Sequence, residues 1–254
     1  MIYLKTEKEF ELMREAGKIL KQILEEIGKN VKPGVTAAFL DYVAEKKMKE
    51  LGAKASFKGV ECPYRGGKTY SNATCISIND EVIHGIPSGR VLQEGDLVSV
   101  DMAVYKNGYH ADAGRTFIVG KGSKTAEKLV KVAEMAFFAG VDQAVPGNRI
   151  GDISNAIQTV VEKEGFNLLR EYQGHGIGQE MHEDPGVPNI GTKGKGVRIE
   201  KGMALAIEPM VVEGSPDIVV GKDKWVVKTR DGKLSSYYEN TVIITENGPE
   251  ITTL

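Results

Sequence analysis

The sequence predicts an α+β protein built from two similar halves, each running helix, Pro-Gly, helix, strands. Three observations carry this prediction. Segments of the first half recur in order in the second. An Asn-Gly pair joins two apolar, strand-like runs. Four carboxylates interrupt such runs, at Asp101, Asp112, Glu208 and Glu239.

The elements follow in order. Glu7 to Ile27 has amphipathic helical spacing, and Thr6 and Glu9 stand at the separation of a capping box. Lys32-Pro33-Gly34 breaks the chain before a second helix that ends near Leu51-Gly52. Residues 96–105 and 109–119 read as strands on either side of Lys106-Asn107-Gly108. In the second half, Ala126 to Val141 reads as a helix, and Val145-Pro146-Gly147 precedes another ending near Glu164-Gly165. Gly174-His175-Gly176-Ile177-Gly178 cannot sustain a helix and reads as a turn and short strand. Met203-Ala204-Leu205-Ala206-Ile207 is an apolar strand that ends on Glu208, and Glu239 sits just before Thr241-Val242-Ile243-Ile244-Thr245.

The repeat ties these elements together. Val91 to Met102 resembles Val197 to Pro209: each is a Gly turn, an apolar strand and then a carboxylate, so Gly95 aligns with Gly202 and Asp101 with Glu208. His84-Gly85-Ile86-Pro87 has an echo in His182-Glu183-Asp184-Pro185. The halves span about 6–120 and 121–250, within a single domain over 1–254. Two sheets packed about a pseudo-twofold axis are expected, with matched carboxylates meeting near it.

Composition excludes several classes. A net charge of −2 gives no basic field for a specific nucleic-acid partner, and no apolar run approaches the length of a membrane span. Two cysteines, Cys62 and Cys75, are too few for a disulfide framework and read as reduced thiols of a cytoplasmic protein. The N-terminus lacks the pattern of a signal peptide.

Buried carboxylates are rare unless paired or bound to a cation. With Asn107-Gly108 as a two-residue turn, Lys106 pairs with Tyr109, Asp101 opposes Gly114, and Asp112 opposes Ala103. Asp101 and Asp112 then share a face as diagonal neighbours; sliding the turn back one residue makes them directly opposite, and a three-residue loop splits them. Alone, the pair reads as two aspartates on a hydrated hairpin; Glu208 and Glu239 turn the reading towards a shared cation site. Four carboxylates and a neutral imidazole, His175, carry about −4, which neutralises two divalent cations. The donor set suits manganese, iron, cobalt or zinc, and a two-metal site implies hydrolysis. His84 and His182 are further candidates for contacting substrate. His110, two residues before Asp112, is the weakest.

These residues resemble those of type I methionine aminopeptidases of the short bacterial form, over nearly the whole chain. The resemblance rests on the series Asp101, Asp112, His175, Glu208 and Glu239, with His84 in His-Gly-Ile-Pro, His182, Trp225 in Trp-Val-Val-Lys-Thr, and Tyr238-Glu239-Asn240-Thr241. It implies a duplicated pita-bread fold around two divalent metal ions (cobalt, manganese, iron or zinc). Asp112 and Glu239 would bridge the two ions, Asp101 would chelate one, and His175 and Glu208 the other. A metal-bridging water would attack the first peptide bond, with Glu208 shuttling its proton. His182 would hydrogen-bond the scissile carbonyl, and His84 would position the substrate and assist the leaving amide. Tyr70, Cys75, Met181 and Trp225 would wall the methionine pocket. The implied activity is removal of the initiator methionine from nascent polypeptides whose second residue is small. The protein would be a cytoplasmic monomer with no membrane or specific nucleic-acid partner. Lys193, Lys195 and Arg198 could make transient contact with the ribosome, although a solvated loop is the plainer reading.

The chain departs from that pattern in two places. Residues 60–69 form a longer segment than the family leads one to expect, and Met181 stands where an aromatic is common. The alternatives are a proline-directed peptidase of the same fold and a non-catalytic binding module. Ile2 is bulky, so retention of Met1 is expected.

Overall fold

The structure is a computed structural model that describes residues 1–254. The first half contains α1 (Glu7–Asn30), α2 (Ala37–Glu50), β1 (Lys54–Ala55), β2 (Cys75–Ile78), β3 (Glu81–Ile83), β4 (Leu97–Lys106) and β5 (Tyr109–Ile118). The second begins with α3 (Lys124–Gln143), α4 (Ile150–Lys163), β6 (Asn167–Leu168), β7 (Gln173–Gly176), β8 (Glu183–Pro188) and β9 (Ala204–Ile207). It continues with β10 (Met210–Val212), β11 (Ile218–Val220), β12 (Val227–Thr229), β13 (Ser235–Tyr237), β14 (Glu239–Thr245) and β15 (Gly248–Ile251).

Helix α1 starts where its cap dictates. The Glu9 backbone N–H donates to Thr6 Oγ1, and the Thr6 N–H donates to the Glu9 carboxylate at 2.7 Å. Its buried stripe of Phe10, Met13, Leu20, Ile23 and Ile27 recurs every three to four residues. Leu20, Ile23 and Ile27 of that stripe and the buried face of α2 pack on β2, β4 and β5 in one core, while Phe10 and Met13 join a smaller cluster with Tyr109, Ile177, Ala204 and Ile243. A second core joins α3 and α4 to β9 and β14. Each fully buried Leu or Ile contributes about 1.5–3 kcal/mol relative to exposure.

The repeat is present in three dimensions, down to single hydrogen bonds. The Gly34 N–H donates to Leu92 O and the Leu92 N–H to Val35 O; in the second half Gly147 donates to Ile199 O and Ile199 to Asn148 O. The bridges Thr36–Val91 and Arg149–Arg198 match in the same way. The two halves do not form separate packed sheets, as the sequence led us to expect. They fuse edge to edge into one nine-stranded sheet, ordered β1-β4-β5-β14-β9-β7-β8, with β2 on β4 and β15 on β14. The reason is local. β5 and β14 each leave an edge, and they pair antiparallel through Gly114 with Glu239 and Ala113 with Asn240.

The β4–β5 hairpin has the register read from Asn-Gly. Lys106 pairs with Tyr109, Asp101 with Gly114, and Ala103 with Asp112. Asn107 and Gly108 both have positive φ, 52° and 92°, as a type I′ turn requires. No helix is long and apolar enough to cross a membrane.

Candidate active site

The carboxylates come from four strand positions on the fused sheet. Asp101 and Asp112 lie on β4 and β5, Glu239 opens β14, and Glu208 follows β9 directly. All four are buried, with relative exposures of 9%, 3%, 1% and 8% in the order Asp101, Asp112, Glu239, Glu208. His175 lies on β7, paired with Ala206 of β9. Gly174 and Gly176 permit that packing: a Cβ at either would lie 2.3 Å or less from a backbone oxygen of Ala206 or Asp184.

Ligand atoms of Asp112, His175 and Glu239 all lie within 4.8 Å of one another. His175 Nε2 is 3.7 Å from Glu208 Oε1. The other ring nitrogen, His175 Nδ1, is 2.8 Å from the Gly176 carbonyl. A carbonyl only accepts, so Nδ1 carries the hydrogen and Nε2 faces the carboxylates with its lone pair free.

The electrostatics fit a cation. The surrounding cavity, of about 290 Å³, is lined by Asp101, Asp112, His175, Glu208 and Glu239, and by no lysine or arginine. Asp101 Oδ1 and Asp112 Oδ1 are buried without a hydrogen-bond donor. Burial, then the charge of Asp112, pushes Asp101 well above the usual carboxylate range. Burial raises Asp112 to about 7. Glu208 and Glu239 are likewise raised, by burial first and by neighbouring carboxylates second. Burial lowers His175 to about 4, so its imidazole is neutral at pH 7. Unpaired carboxylates beside a neutral, oriented imidazole are the donor chemistry of a divalent transition-metal site.

The other residues singled out in the sequence surround this group. His84, His182, Tyr70, Cys75, Met181 and Trp225 all line the same cavity. The His182 ring stands edge-on to His175 at 4.4 Å between centroids. Burial lowers His84 to about 4 and also lowers His182, so both are neutral donors or acceptors at pH 7. His84 has φ 59°, a left-handed conformation that a non-glycine residue adopts only when its surroundings impose it. The sequence echo between His84 and His182 is not a local equivalence, because His84 follows β3 whereas His182 precedes β8.

Tyr70, Cys75 and Trp225 form a compact apolar cluster, with the Tyr70 and Trp225 rings edge-on at 5.0 Å. Tyr70 Oη donates to Thr74 O at 2.9 Å, and Trp225 Nε1 donates to Lys68 O at 2.8 Å. The 60–69 segment folds over the cavity, which Val60, Glu61 and Pro63 help to line. Cys62 Sγ donates to Lys224 O across this segment at 3.3 Å. His110 turns away towards Ser56 and Tyr105 and does not line the cavity.

Three contributors were not foreseen. Tyr237 places its hydroxyl 2.6 Å from Glu239 Oε2 and 3.2 Å from Glu208 Oε2. The sequence signal for it was present, since it lies two residues before Glu239. Tyr172 sets its ring edge-on to His84 at 5.7 Å. Asp41 on α2 accepts hydrogen bonds from Asn72, Ala73 and Thr74, fixing the loop that leads into Cys75.

Comparison with known proteins agrees with this geometry. Residues 11–246 match the model of metallopeptidase family M24, and the chain belongs to that family. The methionine aminopeptidase of Clostridium acetobutylicum is 52% identical over 255 residues, covering 100% of this chain and 99% of that protein. The crystal structure of the Thermotoga maritima methionine aminopeptidase is 45% identical with a TM-score of 0.94, covering 100% of this chain and 99% of that one. Within the family, the chain therefore groups with the methionine aminopeptidases, and its sheet and helices form the family's pita-bread fold. The Xaa-Pro dipeptidase of Bacillus anthracis shares the fold alone, at 24% identity and a TM-score of 0.78, covering 98% of this chain and 61% of that one.

Proposed function

We propose that the protein removes the N-terminal methionine from nascent polypeptides whose second residue is small, as a cytoplasmic monomer with one catalytic domain over 1–254. The observation that carries this is the juxtaposition in one cavity of five cation-binding groups and the apolar Tyr70–Cys75–Trp225 cluster. A thioether chain suits soft and aromatic walls, and Met181 adds a flexible thioether of its own.

Asp101, Asp112, His175, Glu208 and Glu239 would hold two divalent ions (manganese, iron, cobalt or zinc). Asp112 and Glu239 would be shared, Asp101 would serve one ion, and His175 with Glu208 the other. When bound, such ions supply Lewis acidity and a water acidic enough to be a nucleophile near neutral pH. The chain's own residues do the rest. The apolar cluster grips the methionine side chain, and the free amine lies on the Asp101 side. His182 donates to the scissile carbonyl oxygen, where negative charge develops. Glu208 takes the proton of the water that attacks the carbonyl carbon and returns it to the amide nitrogen as the C–N bond breaks, and His84 orients that leaving group.

A neighbouring pocket of about 250 Å³, walled by Tyr172, Met210 and Tyr237, adjoins His84 and Glu208 on the other side. Bulky walls there support a small second residue. The exposed Lys193, Lys195 and Arg198 offer positive charge for a transient ribosome contact. A panel of Met-Xaa-Ser peptides, run across several metals with metal content measured per chain, tests the reading. Release of methionine should fall as the second residue grows, with full rate at two ions per chain. Equal release for alanine and leucine at that position would contradict it.

A further inference from the structure

Glu208 and Glu239 receive their only side-chain hydrogen bonds from one phenol. Tyr237 Oη lies 2.6 Å from Glu239 Oε2 and 3.2 Å from Glu208 Oε2, and its side chain is buried. The two glutamates come from different strand segments, one after β9 and one opening β14. The backbone ladder between β9 and β14 joins those segments, but no other side chain hydrogen-bonds to both carboxylates.

The ring has a dedicated seat. Gly114, which pairs with Asp101 on one side and Glu239 on the other, lies beneath it. A Cβ at Gly114 would lie 2.0 Å from Tyr237 Cε1, so only glycine leaves room for the ring. The Tyr237 backbone is held as well: its N–H donates to Thr116 Oγ1 at 2.8 Å, and Thr116 Oγ1 donates to Tyr237 O at 2.9 Å. A phenol so fixed at both ends sets the spacing of the two glutamates before any cation arrives.

We infer that Tyr237 is a positioning residue of the metal centre, its hydroxyl holding Glu208 and Glu239 at the separation that cation binding requires. The inference rests on the proposed metal site and concerns the second sphere around it. Partners of ligands typically change metal affinity or activity by about 10–100-fold when removed.

Tyr237→Phe deletes one oxygen and keeps the ring on Gly114. Titration of metal-free protein with Mn(II), followed by calorimetry, should show affinity reduced by about 10–100-fold. The metal-free variant should still melt in one cooperative transition, so a weaker affinity does not report unfolding. With metal restored, kcat on Met-Ala-Ser should fall while KM changes little. Gly114→Ala, which displaces the ring without touching the hydroxyl, should weaken Mn(II) binding in the same direction. Mn(II) affinity within twofold of the wild type in Tyr237→Phe would overturn the inference while leaving the metal site standing. Failure of the wild type itself to bind Mn(II) would overturn the metal site, and this inference with it.

Discussion

Cation binding should strengthen with pH by an amount that Asp112 sets. Burial raises its carboxyl from 3.8 to about 7. In the unfolded chain this group is ionised above about pH 5. Its folded-state proton therefore stabilises the metal-free protein at low pH, and that contribution is lost as pH rises towards 7. A cation binding at pH 5 must displace the proton two units below the folded pKa, which costs about 3 kcal/mol at 1.36 kcal/mol per unit. At pH 7 that cost has nearly vanished. His84 and His175, lowered to about 4, act in the opposite direction on total stability, since charging them on acidification destabilises the fold. Both are neutral at pH 5 and above with or without a cation, so they cancel in the difference between loaded and metal-free protein. Asp101, Glu208 and Glu239, also raised by burial, add to the effect with the same sign. The assay is thermal melting by circular dichroism, with and without a fixed Mn(II) concentration that saturates the site at pH 5. The Mn(II)-dependent rise in Tm should be larger at pH 7 than at pH 5 by at least about 6–12 °C, at 2–4 °C per kcal/mol. An equal rise at the two pH values, or a larger one at pH 5, would refute the reasoning.

Three further outcomes are expected. Asp112→Asn removes one of four crowded negative charges, so the metal-free protein should melt higher at pH 8 while peptidase activity is lost; retained methionine release would dismiss its assigned role. His182→Ala should reduce kcat by about 10²–10³, the range for losing one donor to a developing oxyanion, with a much smaller change in KM. Asp41→Ala leaves its buried donors unsatisfied and should destabilise the protein by about 3 kcal/mol in urea unfolding. Because the loop that Asp41 holds leads into Cys75, KM for Met-Ala-Ser should also rise, and an unchanged KM would separate the loop from the pocket.

The parts of the fold that were legible are those governed by local rules. The hairpin register followed from Asn107-Gly108 alone, because a two-residue turn fixes every later pair. The repeat was legible because each half needs the same Pro-Gly break and Gly turn, and the structure gives both halves the same hydrogen bonds there. Joining the halves through β5 and β14 was not legible. That contact brings Gly114 to Glu239 across more than a hundred residues, and no local pattern encodes it. In the site, the carboxylates and His175 stood out as charge and imidazole in apolar, glycine-rich surroundings. Tyr237 was not singled out: its place two residues before Glu239 was a signal, but only the fold sets its hydroxyl between two glutamates. Nothing in the local sequence marked Asp41, whose carboxylate is met only when residues 72–74 fold onto it. The 60–69 segment has no hydrophobic period to read, and its place over the cavity depends on distant Lys224 and Trp225.

The central claim is that this cavity and its cation-binding groups release N-terminal methionine. The most direct test offers metal-loaded protein an equimolar mixture of Met-Ala-Ser and Ala-Pro-Ser and measures the free amino acids released, before and after chelation. Free methionine should appear, should vanish on chelation, and should return with added metal, while Ala-Pro-Ser stays intact. Cleavage of Ala-Pro-Ser in preference, or methionine release that survives chelation, would contradict the account.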